Sequence, residues 1–395
     1  MTSGTRLRLA RQARGFSQQQ LAGMAGVSRQ AVSAVESGQS DPSLRVALAL
    51  AQTLGMTVEE LFGAEDTVPE VSARLVGEAG QADEPGHGRV TLAMVGGSFV
   101  ALPLSGATAS RAGFLPAGGL LAGPLGATRH TERVGDEDTA DRPHGLRGHV
   151  RPIGPPRPTL VIAGCDPALP LLAEPLSLLD PPIALSWWPC SSSEALRLAA
   201  DGMVHAAGAH LRDPSGEYNT ESAAGLLGGG GEVVGFSAWR EGLVLGSTPA
   251  ASGVSGVGDA VKRGLRLVNR EPGAEARRVL DRELDGAGVD GADVPGYQTM
   301  AAGHLQVADA IAAGLADAGV AAEPAALAYG LAFVPLAAER FDLLIPAEQA
   351  RSREVQALIK VLGSRWLLDQ LTSLPGYDPS WCGQHIASLR PDSAT

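Results

Sequence analysis

Residues 17–42 read SQQQLAGMAGVSRQAVSAVESGQSDP. Ser17 is a polar cap ahead of a short helix over residues 18–25, because its side-chain oxygen can accept from a free amide of the first turn. Gly26 and Val27 then leave room for one tight turn only. Glycine reaches the left-handed conformation that such a turn requires. Ser28 caps a second short helix that ends near Ser37 and Gly38. Small Ala22 lets the two helices pack closely. Two short helices joined by a glycine turn of this length predict a helix-turn-helix unit.

The flanks extend the same pattern. Residues 5–14 form a leading helix with Leu7, Leu9, Ala10 and Ala13 on one side, stopped by Gly15. Asp41, Pro42 and Ser43 open a fourth helix, apolar at Leu44, Ala47, Leu48 and Ala51, and Gly55 closes it. Thr57 caps a fifth over residues 58–62. The third helix presents Ser28, Arg29, Gln30 and Ser33 on its N-terminal and outward side. Arginine and glutamine are the side chains that hydrogen-bond base edges bidentately in the major groove. Charge follows the same division. Residues 1–58 hold six arginines against Glu36 and Asp41, a net +4, whereas the whole chain of 395 residues carries −12. A basic end on an acidic body fits a small polyanion-binding module whose remainder repels non-specific nucleic acid.

About 55 residues around these positions resemble the phage-repressor (Cro/C1, or XRE) family of regulators. The matching features are Ser17 to Ala22, Gly26 to Arg29, Val32 and Ser33, Glu36 to Gly38, and Pro42. The resemblance implies that Gln18 contacts a phosphate, which fixes register and carries little base information. It also implies that Arg11 and Glu36 form an ion pair joining the first and third helices. The partner implied is a double-stranded DNA operator. One such module buries little surface, so a homodimer on two half-sites one helical turn apart is expected.

Beyond residue 63 the composition changes. Residues 64–88 are polar with Pro and Gly and read as a linker, with one helical turn at residues 71–78. Residues 89–158 read as a small β-rich segment. A hairpin is expected from runs at residues 90–95 and 98–104 around Gly96 and Gly97, and residues 126–158 are expected to be a loop. From Thr159 to the end, strand and helix patterns alternate, which argues for an α/β domain with mostly parallel strands. The expected architecture is multidomain: an all-α N-terminal unit over residues 1–63, the β-rich middle segment, and a two-lobed α/β domain over residues 159–395.

Pieces of residues 159–395 resemble the periplasmic-binding-protein-like sensor domains fused to bacterial helix-turn-helix modules, related to molybdate-binding members of the type II fold. They are Ala163 to Leu169, Ala206 to Leu211, Tyr218-Asn219, Val268 to Arg270, Gly296-Tyr297, His304 to Ala308, Ala316 to Gly319 and Glu339 to Leu343. The resemblance implies two lobes around a ligand cleft, with chain crossings near residues 234–246 and 331–345. Candidate ligand-binding residues are Cys165, Asp166, Ser191, Ser192, Ser193, His210, Tyr218, Asn219, Arg270, Arg277, Tyr297 and His304. Three serines opening a helix make an anion cradle from hydroxyls and free amides; plain N-capping is the alternative. Cys165 and Asp166 follow a strand, where open α/β sheets bind ligands. Related domains carry Gly-Ser-Gly-Thr-Arg where this chain has Gly273, Ala274, Glu275, Ala276 and Arg277. Two hydroxyls are lost and a negative charge is gained there. A small anion, molybdate or tungstate first and an organic acid second, is the expected ligand.

Other classes find little support in the sequence. There is no phosphate-binding P-loop and no GxSxG elbow, and glycines 228–231 lack the strand–helix context of a dinucleotide fingerprint. No catalytic residue is assigned and a non-enzyme is expected. Cys165, Cys190 and Cys382 form no CxxC pair, so spacing indicates neither zinc nor disulfides; no metal or cofactor is expected. No apolar run is long enough to span a bilayer and no leader pattern precedes the first helix, so a cytoplasmic protein without membrane contact is expected.

Overall fold

A computed structural model describes residues 3–62, 69–76, 88–104, 108–109, 113–121, 146–228 and 230–390. The chain divides into two compact units, Met1–Pro69 and Glu70–Thr395.

The first unit is helical: α1 (Ser3–Ala13), α2 (Gln18–Ala25), α3 (Arg29–Glu36), α4 (Leu44–Leu54) and α5 (Val58–Phe62). Its ends are set by the capping chemistry in the sequence. Ser17 Oγ accepts from the Gln20 amide at 3.2 Å and Gln20 Oε1 accepts from the Ser17 amide at 2.8 Å, a reciprocal capping box. Gly26 ends α2 with φ +64°. The core is Leu7, Leu21, Ala22, Val32, Val35, Leu50, Ala51, Leu54 and Leu61. Two expected faces differ. Leu9 on α1 and Leu44 and Leu48 on α4 are exposed, because the buried stripe of α4 runs through Ala47, Leu50, Ala51 and Leu54.

The second unit holds two sheets. A six-stranded sheet has the order β2-β5-β6-β1-β4-β3, built from β1 (Val71–Leu75), β2 (Arg89–Val90), β3 (Ala93–Val95), β4 (Ser98–Ala101), β5 (Gly119–Leu121) and β6 (Leu146–Pro152). The hairpin at Gly96 and Gly97 forms, with φ of +55° and +79°. Four expectations are corrected here. β1 lies in the expected linker, as a strand and not a helical turn, between β4 and β6. Its Ala73 and Leu75 are buried, and pairing with distant strands outweighs the local signal. The run 90–95 splits between opposite edges of the sheet. The end of the expected loop is β6, whose Val150 is buried; residues 122–145 lie outside the described residues. Nor does the middle segment stand alone. Ala93, Val95, Val100 and Leu102 share a core with Val161, Ala163 and Trp188 of the α/β part.

The nine-stranded sheet has the order β12-β11-β13-β10-β14-β9-β7-β8, with β15 also on β10. Its strands are β7 (Thr159–Ala163), β8 (Ala184–Trp188), β9 (Ala206–Ala209), β10 (Gly231–Leu245), β11 (Leu267–Arg270), β12 (Met300–Ala301), β13 (Ala318–Ala322), β14 (Ala332–Pro346) and β15 (His385–Leu389). β10 and β14 are antiparallel and 15 residues long each. One end of the pair joins β9 and β15; the other joins β13. These are the two crossings between lobes. The first lobe is built on β7, β8 and β9, the second on β11, β12 and β13, and each lobe has its own core. The terminal helical pattern breaks at Gly363 and Ser364 into Arg353–Leu362 and Arg365–Ser373, because Ser364 caps the second helix.

Candidate functional site

On the helical unit, Ser28, Arg29, Gln30 and Ser33 lie exposed on α3. Ser28 also caps α3, its Oγ accepting from the Ala31 amide at 3.1 Å. Beneath them Arg11 grips Glu36 with two hydrogen bonds, Nε to Oε1 at 2.6 Å and Nη2 to Oε2 at 3.1 Å. Gln18 Nε2 donates to the same carboxylate at 2.8 Å. Burial by itself would raise the Glu36 carboxyl, but the bonds from Arg11 and Gln18 hold it below its ordinary value. Gln18, read from the sequence as a phosphate contact, thus also holds the joint between α2 and α3; one N–H of its amide remains for a phosphate.

Base contacts and phosphate contacts differ in what their loss does. Gln30→Ala is expected to relax base preference at one position, at a cost of roughly 1–3 kcal/mol. Gln18→Ala is expected to weaken binding evenly across sequences. Binding to a set of duplex variants at fixed salt separates the two, and the same loss of preference in both would refute this division of roles.

In the second unit the lobes meet at a cleft of about 320 Å³, part of it open to solvent. Cys165 reaches it from the end of β7. Gly164 precedes it with φ +154°, and a Cβ there would come within 2.9 Å of the Gly208 carbonyl. His210 follows β9, fully buried, with Nδ1 3.4 Å from Glu339 Oε2 on β14. Its ring packs against Trp239 of β10 at 5.4 Å and lies 5.7 Å from His304. His304 opens the helix His304–Ala312 of the second lobe. Its Nδ1 accepts from the Ala322 amide at 3.2 Å and lies 3.6 Å from Glu241 Oε1. Arg270, at the end of β11, is buried. Its Nε and Nη2 hold Glu271 at 2.8 and 3.1 Å, while Nη1 has no hydrogen-bond partner.

Burial works against charge at both histidines and both carboxylates. It lowers His210, yet Cys165 and Glu339 beside it hold that histidine well above its ordinary value. His304 stands well below its own, through burial and the nearby Arg270 and His210. Burial lifts Glu241 to about 7 and raises Glu339 despite His210.

Of the expected ligand residues, Cys165, Arg270 and His304 line this cleft, and His210 lies against them. The others are placed elsewhere. Asp166 is buried and accepts from the Ala168 amide, Ser237 and Tyr377. Ser191 is the N-cap of the helix Ser192–Ala200. Ser192 Oγ accepts from the His210 amide and Ser193 Oγ from Arg278. The amide of Ser193 donates to the Gly273 carbonyl at 3.3 Å, across the two lobes. Asn219 bonds Leu211, Ala209 and Asp342, and Tyr218 donates to the Ala338 carbonyl. Arg277 donates to the Arg270 carbonyl and to Tyr297, which donates to Asp281. Glu275, the acid that interrupts the expected motif, is buried and held by Arg282 at 3.0 Å. Sequence reasoning missed Glu241, Glu339 and Trp239. Their signal was a carboxylate inside each long apolar strand, since buried acids are rare without a partner.

A helix-turn-helix family profile matches residues 7–61 and a PBP superfamily domain profile matches residues 173–363. The uncharacterized helix-turn-helix regulator MJ0272 of Methanocaldococcus jannaschii is 39% identical over 61 residues, 15% of this chain and 92% of that one. The uncharacterized protein YvgK of Bacillus subtilis is 27% identical over 231 residues, 58% of this chain and 74% of that one. The tungstate binding protein TupA of Desulfovibrio alaskensis superposes with a TM-score of 0.41 at 15% identity, over 57% of this chain and 99% of that one. Through its N-terminal unit the chain belongs to the helix-turn-helix family of transcriptional regulators, and its C-terminal part carries a PBP-like domain.

Proposed function

We propose that this chain is a ligand-responsive transcriptional regulator that binds operator DNA through α3 and senses a small anion between the lobes of its C-terminal domain. The observation that carries the anion reading is Arg270. It is a buried guanidinium with Nη1 unpartnered at a cleft also lined by Gly303, His304, Leu305 and Gln306. Gly303 is the N-cap and the other three the first turn of a nine-residue helix, whose first amides lack intrahelical partners and favour negative charge. An anion there receives a charge-assisted bond from arginine and amide donors together. A molybdate- or tungstate-like oxyanion is the first choice and an organic acid the alternative. This moves the anion from Ser191, Ser192, Ser193 and Arg277, whose polar atoms have partners within the protein, to Arg270 and the His304 helix.

A ligand switches the protein only if it binds one lobe arrangement better than another. A homodimer reading two half-sites makes operator affinity sensitive to such a change. Calorimetric titration of the full chain with molybdate, tungstate, sulfate and a set of carboxylates is the test. One of them is expected to bind, and Arg270→Gln to weaken it by roughly ten- to a hundredfold, the worth of a hydrogen bond to a charged group. Absence of binding across the set, or binding untouched by Arg270→Gln, would overturn the anion reading.

A further inference from the structure

We propose that Cys165, His210 and His304 form a site for a divalent transition metal of the zinc class, shared between the two lobes. Among the described residues these three place a sulfur and two ring nitrogens within 4.8 Å of one another, all buried. A tetrahedral zinc would hold such atoms about 3.3–3.6 Å apart. Loading therefore draws them together by no more than about 1.5 Å, a side-chain adjustment and not a refolding.

The surroundings are those of a metal site. Nδ1 of each histidine faces a buried carboxylate, Glu339 at 3.4 Å from His210 and Glu241 at 3.6 Å from His304. Metal-bound histidines characteristically turn their second nitrogen to a carboxylate, which fixes the ring and its tautomer. His304 Nε2 and Glu241 Oε1 are buried without hydrogen-bond partners, although buried polar atoms are nearly always paired. A cation at His304 Nε2 satisfies that nitrogen directly; the ring proton then sits on Nδ1, towards Glu241, in place of the hydrogen bond that Nδ1 accepts from the Ala322 amide. Thiolate and neutral imidazole are the forms that ligate, so loading displaces the protons held by the Cys165 and His210 pair into solvent. One thiolate and two imidazoles suit zinc better than magnesium or calcium, which take oxygen ligands. Three protein ligands leave a fourth position open for water or a small anion.

The division of the ligands between lobes gives the site a consequence. Cys165 and His210 end strands of the first lobe, while His304 heads a helix of the second. A metal held by all three ties the lobes together. The proposal goes beyond the anion reading, which requires only Arg270 and the helix start.

The test is metal binding by the full chain after chelator treatment and dialysis. Equilibrium dialysis against zinc chloride is expected to give about one metal per chain. Cobalt(II) is expected to give a thiolate-to-metal charge-transfer band. Cys165→Ser should abolish that band, and His304→Gln should weaken zinc binding by at least about a hundredfold. Glu339→Gln should weaken it by about ten- to a hundredfold through the orientation of His210. Cys382→Ser, whose thiol bonds the Leu362 carbonyl away from the cleft, should keep the band. Arg270→Gln should keep the metal even where it weakens anion binding, so the two proposals fail separately. Circular dichroism checks that each variant is folded, with Cys165→Ala replacing any Cys165→Ser protein that is not. No stoichiometric binding by the parent chain, or a band that survives loss of Cys165, would overturn the proposal.

Discussion

Glu36→Ala is expected to unfold the helical unit while the α/β unit stays folded. The carboxylate is buried and receives three hydrogen bonds, two from Arg11 and one from Gln18. Removing it strands a half-buried guanidinium in a core of nine buried side chains. Breaking one side of a buried pair costs about 3–5 kcal/mol, and a unit this small has little stability in reserve. Hydrogen exchange over residues 3–62 of the full chain measures the effect directly. Protection in α2 and α3 equal to the parent's would show that the pair contributes nothing. Replacing Arg11 and Glu36 together with apolar residues should recover much of the loss, because no charge is then left buried. The pH dependence follows from the same pair. The Glu36 carboxyl is lowered in the folded state, so its stabilisation is present above the unfolded value of about 4.3. It disappears as pH falls through the lower folded value. The helical unit should therefore lose stability below about pH 4, while Glu36→Gln should flatten that part of the profile.

Phe341→Ala is expected to cost about 3–5 kcal/mol and to weaken ligand binding as well. The ring is fully buried on β14 and packs on Phe236 at 6.1 Å, Trp239 at 5.6 Å and His210 at 6.1 Å. It fills the space above two glycines; a Cβ on Gly208 would lie 2.3 Å from its Cζ, and one on Gly164 3.2 Å. Truncation leaves a cavity under the ends of β7 and β9, the strands that deliver Cys165 and His210. Thermal unfolding of the α/β unit and titration with the cleft ligand are the two readouts. A variant as stable as the parent would mean that the surroundings collapse to fill the gap. A destabilised variant with undiminished affinity would show that the cleft does not depend on this packing.

The helical unit was legible because its signals are local. Ser17, Gly26, Ser28, Gly55 and Thr57 each act within four residues of themselves, and caps and turns obey spacing alone. The lobe crossings near residues 234–246 and 331–345 were legible through the family resemblance, and the apolar runs 233–239 and 341–345 lie within β10 and β14. β1 and β6 were not, because their evidence is their partners. Val71 to Leu75 pairs with residues 99–101 and 146–150, and nothing within the segment announces that. The cleft residues Cys165, His210, Arg270 and His304 were named among twelve candidates through the family resemblance, but not as one group. Cys165, His210 and His304 lie on separate strands and helices, and only the fold brings them together. The serine cradle was over-read. Ser191 caps its helix, and the hydroxyls of Ser192 and Ser193 are taken by His210 and Arg278. The acids Glu241 and Glu339 were visible in the strands, but their meaning depends on which histidine faces each.

Selection of duplexes from a random-sequence pool by the full chain tests the central claim most directly, run at fixed salt with and without the anion found by calorimetry. Enrichment of two inverted half-sites about one helical turn apart is the predicted result, with enrichment changed by the anion and base preference relaxed at one position of each half-site in the Gln30→Ala protein. A pool that emerges unenriched, or an enriched sequence read equally well by Gln30→Ala and indifferent to the anion, would contradict it.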